Sequence, residues 1–185
     1  PYKAAWSFID DVQGVAQKVD NLILREPERA ARIFQTFIGA CHLKADEIDD
    51  SDGHFGTLVE GLFLGWIKAR QASGADPDET GRTLLAWMDD DPYSFCHDLE
   101  REAAKVLDRK GLDSLAQQVR VRFEKAPLQD EKDVRAAGYA RRRWAVVLKT
   151  LLAAQRRVDD YITLCEHTQL GAGDCKAIAE MYRRR

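Results

Sequence analysis

Apolar residues in this 185-residue chain recur at three- and four-residue spacing, and the breaks between runs fall at proline, glycine and clustered acidic residues. No stretch alternates with period two. The sequence therefore predicts an all-α fold, built of antiparallel helical hairpins, with no sheet. Trp6, Ile9, Val12, Ala16, Val19 and Ile23 form the stripe of a first helix. Pro27 interrupts it and suits the first turn of a second, where Ala30, Ile33, Phe34, Phe37, Ile38 and Cys41 share a face. Phe55, Leu58, Val59, Leu62, Phe63 and Trp66 mark a third, ending near Ser73-Gly74, and Leu84, Leu85 and Met88 a fourth between Asp76-Pro77 and Asp91-Pro92. Phe95, Leu99, Ala103, Val106 and Leu107 predict a fifth that Gly111 ends as a left-handed cap. Leu112, Leu115, Val119 and Phe123 give a sixth. After a polar break near 126–133 comes a long helix around Trp144, Val147, Leu148, Leu151 and Leu152. Two short helices follow, over Asp159 to Thr168 and from Asp174 onward, separated by Gly171-Ala172-Gly173.

A chain that is 45% hydrophobic and 32% charged can bury one core, so a single helical domain over 1–185 is the expectation. The start at Pro1 and the stop at three arginines make an excised piece of a longer chain a second one. No apolar run approaches the roughly 18 residues a spanning helix needs, and no signal peptide opens the chain, so the reading is cytoplasmic with no membrane. Charge is uneven. Residues 1–118 hold 13 Lys/Arg against 22 Asp/Glu, whereas 119–185 hold 15 against 9, giving an acidic front and a basic back. That asymmetry suits an acidic partner or nucleic acid, and equally suits complementarity between neighbouring helices.

The acidic turn Asp49, Asp50, Ser51, Asp52, Gly53 looks most like chemistry. An EF-hand loop needs oxygen ligands at positions 1, 3 and 5, glycine at 6 and glutamate at 12. Started at Asp49, the register puts Gly53 at position 5 and His54 at 6; started at Asp50, it puts Phe55 at 6 and Gly61 at 12. Both fail. Helix capping explains more: Asp52 or Ser51 accepts from the next turn, Gly53 relieves the bend, and the carboxylates face the positive end of the helix dipole. Gly56, Gly61 and Gly65 suggest close backbone packing. A weak echo, Met88-Asp89-Asp90-Asp91 leading to Phe95, lies 40 residues on.

Cys41-His42, Cys96-His97 and Cys165-Glu166-His167 pair thiols with imidazoles, but on a helix adjacent residues point about 100° apart and residues two apart about 200°, so neither arrangement readily holds one zinc from within its own helix. No metal and no cofactor is expected. Cys41, Cys96, Cys165 and Cys175 are read as core thiols. There is no phosphate loop, G-x-S-x-G elbow or H-E-x-x-H motif, and no catalytic residue is assigned. Arg141, Arg142, Arg143, Lys149, Arg156 and Arg157 form a candidate patch for nucleic acid or an acidic partner. Because 141–143 fan over about 200° of helix surface, at least two of them should be exposed.

The segments DDSDGHFG, DDDPYSF, GLDSLAQQVRVRFEKAP and the run from GYARRRW to the terminus together resemble an uncharacterised bacterial family of helical domains of unknown function. Similar helical regions accompany SWIM-type zinc fingers. The likeness spans roughly Ile38 to Arg185 and implies a tetratricopeptide-like α-α superhelix. It transfers no catalytic residue, and the finger's own C-x-C and C-x-H pattern is missing. Two functions follow: a non-catalytic helical-repeat scaffold that binds a protein or peptide, and a nucleic-acid-binding module using the basic helices.

Overall fold

The computed structural model describes residues 2–48, 50–126, 134–168 and 170–183, with no side chain described for 2–8, 10 or 134–137. Trp6 and Asp49 therefore lie outside what is described here. Among the described residues the secondary structure is α-helix with one 3-10 turn, and there is no strand. No helix among them is long and apolar enough to cross a membrane.

The chain divides into two compact units, Pro1–Leu107 and Asp108–Arg185, where the sequence reading gives one domain with an internal break near 126–133. The charge boundary moves with it. Residues 1–107 hold 11 Lys/Arg against 20 Asp/Glu and 108–185 hold 17 against 11, so each unit keeps its own sign.

The first unit comprises α1 (Tyr2–Leu22), α2 (Pro27–Lys44), a 3-10 turn (Ala45–Glu47), α3 (His54–Ala72), α4 (Pro77–Asp89) and α5 (Leu99–Val106). Its centre is α3, which packs on α1, α2 and α5. A helix with three such neighbours needs more than one apolar stripe, and α3 buries Gly65, Ile67 and Ala69 besides the six residues the spacing identified. Phe34 of α2 meets Gly65 of α3, each ten or eleven residues from the ends that the connection joins, so the two helices run antiparallel. A Cβ on Gly65 would stand 2.4 Å from Phe34 Cζ. Gly61 is different: nothing lies within 4 Å of its Cβ position. Close packing thus explains one of the three helix glycines, and Gly56 is confined by the Asp50 carboxylate instead.

The fifth helix ends earlier than its sequence suggests. Leu107 is extended, and Gly111 lies inside the next helix, where its N–H donates to the Asp108 carboxylate at 2.8 Å. Asp108 caps α6 (Arg109–Lys125), so Gly111 serves a helix start. The second unit continues with α7 (Val134–Ala154), α8 (Val158–Glu166) and α9 (Ala172–Arg183), the last beginning inside the expected separator. Gln155 reaches Asp113 at one end of the α6–α7 pair and Arg141 reaches Phe123 at the other, which makes that pair antiparallel too. Its core joins Leu115, Val119 and Phe123 to Trp144, Leu148, Leu151, Tyr161 and Leu164.

The two glycines predict opposite outcomes. Gly65→Ala should destabilise the protein by about 1–3 kcal/mol through overpacking against Phe34. Gly61→Ala should stabilise it by about 0.5–1 kcal/mol through helix propensity. Urea unfolding of the two variants measures both.

Candidate functional site

The acidic turn is a helix cap, and its capping residue is Asp50. Its two carboxylate oxygens accept from the N–H groups of Phe55 at 2.7 Å and Gly56 at 2.9 Å. Gly53 adopts φ +71°, the left-handed conformation that turns the chain so that Asp50 can reach forward over the helix start. Asp52 is exposed. The cap therefore belongs to Asp50, where the sequence reading gave it to Asp52 or Ser51: the left-handed bend directs the earlier residue at the free N–H groups. Ser51 has interactions of its own.

The weak echo has the same chemistry. Asp91 accepts from the N–H groups of Phe95 at 2.8 Å and Cys96 at 2.9 Å, with Ser94 at φ +59° in Gly53's role. The two turns touch. Phe55 and Phe95 meet edge to face at 5.6 Å, His42 stands 5.3 Å from Phe95, and the Asp46 carboxylate pushes the Tyr93 hydroxyl above its ordinary value. His42 is held by its Nδ1 on the Ile38 carbonyl at 3.0 Å, which makes Nδ1 the donor and leaves Nε2 bare and buried.

Next to these turns α3 and α5 enclose an open groove of about 370 Å³. Phe63, Leu64, Phe95 and Leu99 line it with apolar surface, and Glu60, Asp98 and Glu102 bring carboxylates to it. Gly61 also lines it, so its missing side chain widens the opening. Asp98 and Glu102 are paired with Arg101 and Lys105 along α5 at 2.8 and 2.6 Å; among the described residues Glu60 has no ion pair. In the first turn of α5, Glu100 is 6% exposed, and burial holds its carboxyl above the usual range.

In the second unit most of the basic patch is already engaged. Arg141 donates to the carbonyls of Phe123 at 2.9 Å and Ala126 at 3.4 Å, while its guanidinium lies 4.1 Å from the Phe123 ring centre. It closes the C-terminus of α6, where a cation meets the negative end of the helix dipole. Arg143 is half-buried beside Trp144. Only Arg142 of the three is exposed, against the expected two. Arg156, at φ +56°, forms the left-handed end of α7, and Arg157 pairs with Asp160 at 2.8 Å.

Lys149 belongs to a half-buried knot. Asp174 binds its Nζ at 3.0 Å, accepts from the Tyr161 hydroxyl at 2.8 Å and takes the Gly171 N–H at 2.9 Å. Burial pushes the Asp174 carboxyl up, but Gly171, Lys149 and Tyr161 together bring it below its ordinary value. Burial and the Asp174 bond raise the Tyr161 hydroxyl, and burial raises the neighbouring Cys165 thiol. Cys41 is pushed up to about 11 by burial. Three cysteines are buried as expected, but Cys175 on the outer side of α9 is exposed. Among the described residues no group of His, Cys, Asp and Glu is placed to hold a metal ion.

Comparison of the chain with protein families, with curated proteins and with solved structures finds no match.

Two measurements check these assignments. Asp50→Ala should cost about 1–2 kcal/mol and Asp52→Ala less than about 0.5 kcal/mol in urea unfolding, since only the first removes a cap. Asp174→Asn should cost about 3 kcal/mol at pH 7 by leaving Lys149 buried without a counter-charge. A lowered native carboxyl stabilises above its unfolded value near pH 4 and loses that contribution as pH falls through the folded value. The gap between wild type and Asp174→Asn should therefore narrow in acid unfolding below about pH 4.

Proposed function

We propose that this protein is a non-catalytic helical interaction module, and that the α3–α5 groove of its first unit receives a segment of a protein partner. The observation that carries the reading is Gly61. A glycine within a helix costs about 1 kcal/mol relative to alanine. No intramolecular neighbour occupies the space in front of this one, and that space is the groove. Phe63 and Phe95 supply apolar anchoring surface, while the Glu60 carboxylate, which has no ion pair among the described residues, favours a basic side chain on the bound segment. The paired aspartate turns at Asp50 and Asp91, each followed by a phenylalanine, support the finer reading of helical hairpins stacked as a tetratricopeptide-like superhelix. The likeness to the SWIM-associated helical family belongs to the same proposal.

Selection of random twelve-residue peptides displayed on phage, with the whole chain as bait, tests the reading. Selected peptides should bind wild type and Gly39→Trp alike, because Gly39 also faces open space but lies on α2. They should lose at least about tenfold in affinity on Gly61→Trp, which fills the groove. Failure to select any peptide, or equal binding by Gly61→Trp, would refute the proposal.

A further inference from the structure

The second unit carries a surface that neither its core nor its ion pairs use. On α7, Tyr139, Arg142 and Val146 stand at i, i+3 and i+7, the spacing of one helix face. Tyr139 is 65% and Val146 56% exposed, and Arg142 between them is exposed as well. Among the described residues Arg142 makes no ion pair. Its guanidinium extends past Gly138, with Nη1 3.4 Å from where a Cβ would be, so the glycine leaves room for it to lie along the helix. Beside this face runs an open groove of about 430 Å³, where Arg141, Arg142 and Lys149 stand with Ala145, Val146 and His167. Among the described residues no carboxylate lines it.

We infer that this face of α7 docks an acidic amphipathic peptide segment, distinct from the partner of the first unit's groove. A carboxylate of the segment pairs with Arg142, and apolar side chains on either side of it cover Tyr139 and Val146. In helix-in-groove recognition the inserted helix presents its apolar anchors at i, i+3, i+4 and i+7, and the docked segment supplies them here. Charge complementarity selects the sign, since 108–185 carry 17 Lys/Arg against 11 Asp/Glu and the groove has no acid among the described residues.

The distribution of cations favours a peptide over a nucleic acid. A phosphate backbone is held by several cations that are free to face it. Of the three cations that line the groove, Arg141 is spent on the Phe123 and Ala126 carbonyls and Lys149 on Asp174, which leaves Arg142 to meet a ligand charge. One charge set between apolar anchors matches a carboxylate on a helix better than a run of phosphates.

The test uses the full chain and two probes: a fluorescein-labelled peptide of about 18 residues with leucine at i, i+3, i+4 and i+7 and glutamate elsewhere, and a uridine oligonucleotide of about 20 residues. Fluorescence anisotropy at low salt should give micromolar binding of the peptide. Arg142→Glu and Val146→Asp should each weaken it by about tenfold, because both residues are exposed contacts. Arg32→Glu, the same charge change at an exposed site on α2, should leave it within about twofold. Melting curves of the variants confirm that they remain folded. The inference fails if the peptide does not bind, if Arg32→Glu weakens binding as much as Arg142→Glu, or if the oligonucleotide binds more tightly than the peptide.

Discussion

The contact of Phe34 with the bare backbone of Gly65 sets the geometry of the first unit. Because no Cβ intervenes, the ring reaches the α3 backbone, and α2 and α3 pack closely along their antiparallel length. The far side of α3 is then presented to α4 and α5. Trp66 and Phe63 meet Trp87 of α4 edge to face at 4.6 and 5.1 Å. Arg70 ties the other end of α3 to α4 through Glu79 at 2.8 Å and Thr80 at 3.0 Å. A helix held on so many sides is a rigid wall, and the groove beside Gly61 takes its shape from it.

The second unit is organised by polar rather than steric constraint. Asp174 gathers a lysine from α7, a tyrosine from α8 and a backbone N–H from the turn before α9. Three helices therefore share one carboxylate, whose alternative is a desolvated charge without partners. Such a knot contributes less net stability than an apolar core of equal volume, yet it fixes which residues face one another. Arg141 acts similarly at the opposite end of α7, joining it to the last carbonyls of α6. With those two side chains turned inward, the outer face of α7 is left to Tyr139, Arg142 and Val146.

The two surfaces differ in sign as the units do. Acidic groups cluster on the first unit partly because its turns need them: Asp50 and Asp76 accept from backbone N–H at the starts of α3 and α4, and Asp91 accepts from two N–H groups in the turn before α5. Several arginines of the second unit are likewise spent on helix ends and on Asp160. Net charge alone therefore overstates what is free for a partner, and the count that matters is of charges with no internal use. Glu60 and Arg142 are such charges among the described residues.

Periodicity and turn chemistry are local properties, so the helical class, the apolar faces of α1 and α2, and the capping nature of the acidic turn are legible in the sequence. The sequence also shows that cations concentrate from residue 119 onward. Which aspartate caps α3 depends on the folded chain, since a left-handed residue at Gly53 redirects it so that an earlier carboxylate arrives. The role of Gly111 was hidden for a related reason: a glycine after an apolar run reads as a stop, but Asp108 was already beginning the next helix. Gly61 and Gly65 are indistinguishable as letters four residues apart, and only packing shows one pressed by Phe34 and the other facing a groove. The arginines from 141 to 143 look alike for the same reason. What separates them is the neighbour each meets in space, a helix end, open solvent or a tryptophan ring, and spacing along one helix carries no record of another helix's position.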